Sequence, residues 1–220
     1  MTCVAAGLAA EAASEIFFKK RIRLYDGSTV FSSLLLALLM PLAIPFWMAG
    51  LGSFWAAVIG REVFGGLGQN PFLSALVGRA FLQISFPSSL IKQSMMLENG
   101  RWAFAAAAAG IVFLFWQKLI FTGPSFFYLA ALFLFSLPLD RNLWPVLFGA
   151  GGLFSAFFLL TDPAQAPVSA LGRRIFAVTA GMMVFVFAKA GLSSASFVFG
   201  ILTVAVMSPW TDRLVREKHL

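Results

Sequence analysis

Apolar residues in this chain come in blocks and do not alternate with polar ones. Val30–Met40, Phe46–Gly60, Trp102–Trp116, Phe126–Leu137, Leu143–Leu160, Ile175–Ala188 and Phe197–Met207 carry almost no charge. A membrane barrel strand would show a period of two, and no stretch does. Helices satisfy their own backbone in lipid, so the blocks predict membrane helices. Several are shorter than the roughly 20 residues that cross a bilayer. These are expected to be half-helices, to tilt, or to extend through small and polar residues.

The interruptions between blocks repeat. "MPLAIPFW" (40–47) and "LPLDRNLW" (137–144) place Pro41 and Trp47 as Pro138 and Trp144. "NPFLSALVGRAF" (70–81) is echoed by "APVSALGRRIF" (166–176), with a one-residue gap. The order is the same in both, which sets repeat half one at roughly 26–100 and half two at roughly 120–212, within a single membrane domain of residues 1–220. Proline removes a backbone donor and glycine loosens a helix, so each half contains a break. In the first, "GGLGQNP" (65–71), Gly65, Gly66 and Gly68 allow close backbone approach and Pro71 suits the first turn of the next helix. In the second, "TDPAQAP" (161–167), Thr161 or Asp162 is the expected cap and Pro163 opens the next segment. Paired breaks in two halves point to a binding site at their interface, with the two elbows meeting at mid-depth. The same residues read equally as plain loops at the membrane surface. "GGLG" is neither a phosphate loop, since no Lys-Ser/Thr follows, nor a dinucleotide fingerprint, since no strand precedes it.

Composition sharpens the class. Of 220 residues, 60% are hydrophobic and 11% charged, against about a quarter charged in soluble domains. The net charge of +7 sits in short clusters, Lys19–Arg23, Arg173–Arg174 and the C-terminal "DRLVREKH". That is the distribution of cytoplasmic loops, so no nucleic-acid partner is expected. Cys3 is the one cysteine and His219 the one histidine. No disulfide framework, cysteine-based zinc site, iron–sulfur cluster, histidine-based metal site or histidine-dependent triad is expected within the chain. The N-terminal "MTCVAAGLAAEAASEIFF" has no basic residue ahead of its apolar part and contains Glu11 and Glu15, unlike a signal peptide.

Four blocks carry a family resemblance: "DGSTVFSSLLLALLMP" (26–41), "VIGREVFGGLGQNPFLSALVGRAFLQISFP" (58–87), "FFLLTDPAQAPVSALGRRIF" (157–176) and "SPWTD" (208–212). In these the chain resembles the membrane subunits shared by the sodium-translocating NADH:quinone reductase (its B subunit) and the Rnf electron-transport complex (its D subunit). The resemblance implies an all-α, multi-pass bundle of interrupted helices in the cell's inner membrane. It also implies an inverted internal repeat, similar to ammonium and urea channel folds. The implied partners are the other membrane subunits of a redox complex and the lipid bilayer. The implied cofactor is flavin, with Asn70 as a ring contact by motif position, although a second family asparagine is replaced here by Leu73. The family's covalent flavin is joined to a threonine after the "ISFP" segment. Ile84–Gly110 contains no threonine, so no covalent FMN is expected, and riboflavin or FMN would be held noncovalently. The chain also starts short of the family's first helices.

No residue is placed as an acid, base or nucleophile. The cofactor candidates are Asn70, Gly66, Gly68 and Gln69, with Thr161 and Asp162 as repeat-related positions. Arg79, inside an apolar run, must pair, line a polar cavity or reach the headgroups. Glu62 across the glycine break is the candidate partner. Lys118 and Lys189 read as interfacial anchors and the tryptophans as an aromatic belt. Two functional classes stay open: a membrane subunit of an ion-translocating electron-transport complex, and a small-solute or ion channel or transporter on the same fold without redox chemistry. A structural subunit that binds neither flavin nor solute is a third.

Overall fold

A computed structural model describes residues 3–9, 28–41, 44–64, 72–91, 105, 109, 116, 122–137, 150–161, 166–192 and 195–217. Every regular element among the described residues is helical. The chain divides into two compact units, Met1–Met96 and Leu97–Leu220.

In the first unit, α1 (Ser28–Leu39) is followed by α2 (Phe46–Ala57), α3 (Ser74–Ser85) and the short α4 (Pro87–Ile91). Pro45 sits in an extended conformation at the N-cap of α2 and fixes where that helix begins. At its other end α2 widens into a π turn, Val58–Glu62, where the Val63 amide donates to the Val58 carbonyl at 3.0 Å. π turns are rare and concentrate at functional sites. Helix α3 stops at Ser85 because Pro87 follows and pushes Phe86 out of the helical region, to φ −135°. Pro87 then opens α4, where its missing donor is harmless.

Small residues set the packing of α2 on α3. A Cβ on Gly78 would strike the Gly52 carbonyl and come within 2.8 Å of Ala56 Cβ. The two backbones touch there, the close approach that membrane helix pairs use in place of a hydrophobic driving force. Leu36, Leu39, Leu76 and Leu82 are fully buried around this crossing.

The second unit runs α5 (Thr122–Ser136), α6 (Ala150–Phe154), α7 (Ala170–Lys189) and α8 (Ser196–Glu217). Helix α6 also ends in a π turn, Ser155–Leu159, with the Leu160 amide donating to the Ser155 carbonyl at 2.9 Å. Helix α7 packs on α5 through Gly181, whose Cβ position lies 2.9 Å from Ala131 Cβ, and on α8 through Gly200, set against the Val184 backbone. Gly191, at φ 89°, ends α7 as only glycine does readily, and the Leu192 amide donates back to the Phe187 carbonyl at 3.1 Å.

Two expectations about the breaks need correction. The helix after the first break begins at Ser74, so Pro71 lies ahead of its first turn. The helix after the second break begins at Ala170, and its cap is Ser169, whose hydroxyl accepts from the Gly172 amide at 3.0 Å. Thr161 does not cap it, and Asp162 lies outside the described residues. At the second break an extended serine at the boundary supplies the cap, whereas α3 starts after Leu73 with no side-chain cap.

Among the described residues only α7 is long and apolar enough to cross a membrane, with 33% of its apolar window buried. Residues 29–39, 123–136 and 196–208 are apolar but shorter. Large apolar side chains face outward on both units, including Phe46, Ile84, Phe126 and Leu134. Exposed apolar surface on this scale marks contact with lipid or protein.

Candidate functional site

The first π turn carries two charged residues, Arg61 and Glu62. Arg61 and Glu62 are both buried, with Arg61 Nε 3.8 Å from Glu62 Oε1. Arg61 Nη1 also donates to the hydroxyl of Thr29 on α1. A cation at this position suits the carbonyl end of α2. The Ser74 hydroxyl, at the start of α3, donates to the Gly60 carbonyl at 3.3 Å and ties the two sides of the glycine break together. Thr29, Ser32, Ser33, Ser53, Ala56, Ala57, Arg61 and Ser74 line a small, partly open pocket with space for about one water molecule.

Arg79 is the second feature. It lies on α3 with no exposed surface, and its three guanidinium nitrogens have no hydrogen-bond partner among the described residues. Gln83, one turn further along, is also buried, and its Oε1 lacks a donor. The expected Arg79–Glu62 pair does not form, because Glu62 is held beside Arg61 on the π turn. Nor does Arg79 reach the headgroup region through an exposed side chain. A guanidinium keeps its proton at any accessible pH, so a buried unpaired one is a costly arrangement.

In the second unit the π turn is fastened to α5 without charge. The Ser125 hydroxyl donates to the Ala156 carbonyl at 2.8 Å, and Tyr128 Oη lies 2.9 Å from Ser155 Oγ. Both units therefore hold a π turn against an earlier helix by a side-chain hydrogen bond.

Of the residues singled out for a cofactor, Gly66, Gly68, Gln69 and Asn70 lie outside the described residues, as does Asp162. The expected meeting of the two elbows lies outside them too. Thr161 is described: it is half-buried, and its hydroxyl donates to the Phe157 carbonyl at the end of the second π turn. The serines and Thr29 around the cavity went unremarked in the sequence. Their signal was hydroxyls recurring inside apolar blocks, in "STVFSS" and in "GSF".

The family described as NQR2, RnfD, RnfE matches residues 1–98 and 90–220, which together span the chain. The chain belongs to this family. A relative in the NQR2/RnfD/RnfE family from Acetobacterium woodii, the D subunit of its "Na(+)-translocating ferredoxin:NAD(+) oxidoreductase complex", is 26% identical over 98% of this chain and 80% of that protein. The D subunit of the "Ion-translocating oxidoreductase complex" of Stutzerimonas stutzeri is 28% identical over 99% of this chain and 82% of its own length. The protein of the same name from Pseudomonas aeruginosa is 26% identical over 96% of this chain and 80% of its own. Family membership agrees with the blocks of residues that first suggested it.

Proposed function

We propose that this chain is the membrane subunit of an ion-translocating electron-transport complex of the Rnf and quinone-reductase type, and that it holds a noncovalent flavin. The observation that carries the first part is the length of the match: nearly all of this chain aligns with about four-fifths of relatives named as the D subunits of such complexes. The repeat reading is supported by the order of elements among the described residues of the two units: a helix, a helix ending in a π turn, then a further helix. We read the units as the two halves of an inverted repeat that crosses the inner membrane several times.

For the flavin, the supporting observation is the set of buried polar atoms without partners. Arg79 offers donors and Gln83 Oε1 an acceptor, one helical turn apart on α3. The polar edge of an isoalloxazine ring carries carbonyl acceptors beside an N–H donor, so this donor and acceptor set suits it. Asn70, with Gly66, Gly68 and Gln69, is the proposed ring contact just ahead of α3, with Thr161 and Asp162 as the repeat-related positions. A bound flavin supplies reversible electron uptake; the chain supplies hydrogen bonds, a fixed positive charge and exclusion of water. With no threonine in Ile84–Gly110, the flavin is proposed to be unlinked.

The test is purification of the full chain from its native membrane. Visible absorbance that is released on denaturation, together with copurifying redox subunits, supports the proposal. A fluorescent band retained on a denaturing gel overturns the noncovalent part. A colourless chain that comes away alone and conducts a small solute in liposomes favours the channel reading.

A further inference from the structure

Helix α7 sorts its residues by size as well as by polarity. Its small ones, Gly172, Ala177, Ala180, Gly181 and Ala188, are all buried. Its outward ones, Leu171, Ile175, Val178, Met182 and Val186, are large, apolar and spaced along one face. Thr179, beside this stripe, returns its hydroxyl to the Ile175 carbonyl of its own helix at 2.9 Å. Membrane helices pair through small residues and through polar side chains that bond across the interface, and this face offers neither. The stripe is basic at both ends, with exposed Arg174 in the first turns and exposed Lys189 in the last. About 22 Å of helix axis separates them, and the reach of two long side chains extends this toward the roughly 30 Å of a hydrocarbon core. Arg174 is also restrained, because its guanidinium lies over the Phe127 ring of α5, with Cζ 5.6 Å from the centroid. Such a contact limits the side chain's freedom and leaves most of its five donors for a phosphate.

We propose that the outward face of α7 is the seat of one anionic phospholipid, with its phosphate on Arg174 and an acyl chain along Leu171, Ile175, Val178 and Met182. Arg173 adds a second positive charge at the preceding position, and α7 carries no acidic residue. That balance favours a lipid of net negative charge over one whose headgroup also holds an ammonium group. The basic end belongs with the cytoplasmic leaflet, where such lipids concentrate. One consequence is that α7 lies at the lipid-facing perimeter of the assembled complex, so partner subunits dock on other helices. The inference rests on the reading that the two units cross the membrane, and it is independent of the flavin.

Two measurements on the full chain, purified with its copurifying subunits, test this. In the first, Val178→Cys in a Cys3→Ser background carries a nitroxide in vesicles of phosphatidylcholine and phosphatidylglycerol. Frequent collisions with oxygen and rare ones with a water-soluble nickel chelate are expected, the signature of acyl chains. Rare collisions with both would put a subunit on this face and overturn the proposal while leaving the span in place. Frequent collisions with the chelate would put the face in water and overturn the membrane span together with the proposal. In the second, the thermal midpoint is followed in uncharged detergent with phosphatidylglycerol or phosphatidylcholine added. A saturable rise with phosphatidylglycerol alone is expected. Arg174→Gln should raise the concentration of that lipid needed by about tenfold or more, the loss of charge-assisted hydrogen bonds. Phe127→Leu should raise it by about threefold, the loss of the contact that restrains Arg174. Equal rises with both lipids, an Arg174→Gln protein that responds as before, or the same rise with inorganic phosphate overturns the headgroup assignment.

Discussion

Arg79 carries a charge it cannot shed, in a place where nothing in the described structure answers it. Replacing such a group by an apolar side chain of similar reach often stabilises a protein by about 1–4 kcal/mol, while a liganded charge loses its guest on the same change. Arg79→Met is therefore expected to raise the unfolding midpoint of flavin-free protein and to lower flavin occupancy, read by differential scanning fluorimetry and by visible absorbance of the same preparation. A fall in the midpoint without flavin would show that Arg79 is anchored within the fold. Arg61 behaves oppositely, since it has Thr29 and Glu62 beside it. Thr29→Val should destabilise by roughly 1.5–3 kcal/mol, the cost of removing an acceptor from a buried cation, measured by thermal unfolding. The sequence marked Arg79 and Glu62 as exceptional and paired them wrongly. Neighbouring residues on an α-helix point about 100° apart and seldom pair. Arg61 and Glu62 nonetheless lie side by side on the π turn, and nothing in the residue order announces a π turn.

At the level of elements, the apolar blocks located most helices, while helix starts were less legible. The apolar block from Phe46 coincides with the start of α2, where Pro45 sits at the N-cap and fixes its own backbone angle. Pro71 and Pro163 misled for the same reason: each looks like a helix start, yet α3 and α7 begin at Ser74 and Ala170. Ser169→Ala should cost about 1 kcal/mol, visible as a lower midpoint and faster amide exchange at Gly172. The α2–α3 crossing is less forgiving. Gly78→Val puts side-chain atoms where the Gly52 carbonyl now lies, and overpacking of this kind costs about 1–3 kcal/mol or more. Reduced yield of folded protein on size exclusion would follow, and a fully stable Gly78→Val chain would refute the close crossing.

For the whole molecule, the class was legible from composition and block length, and family membership from four stretches of sequence. Which polar atoms end without partners was not, because that depends on three-dimensional neighbours. Membrane crossing is testable on α7, whose 20 residues span about 30 Å. Single cysteines at Val168 and Ala190, in a Cys3→Ser background, should react with an impermeant maleimide from opposite sides. Ala190→Cys should label in intact cells, and Val168→Cys, near Arg173 and Arg174, only after lysis. Labelling of both from one side would remove the span. The contact of Gly52 with Gly78 and the tie from Ser74 to Gly60 together have a thermodynamic consequence for anything that binds between them. The stretch from 65 to 71 joins two helices whose adjoining ends are already clamped, so the entropy of bringing those ends together is settled during folding. A guest arriving there need not supply it, and more of its contact energy can appear as affinity.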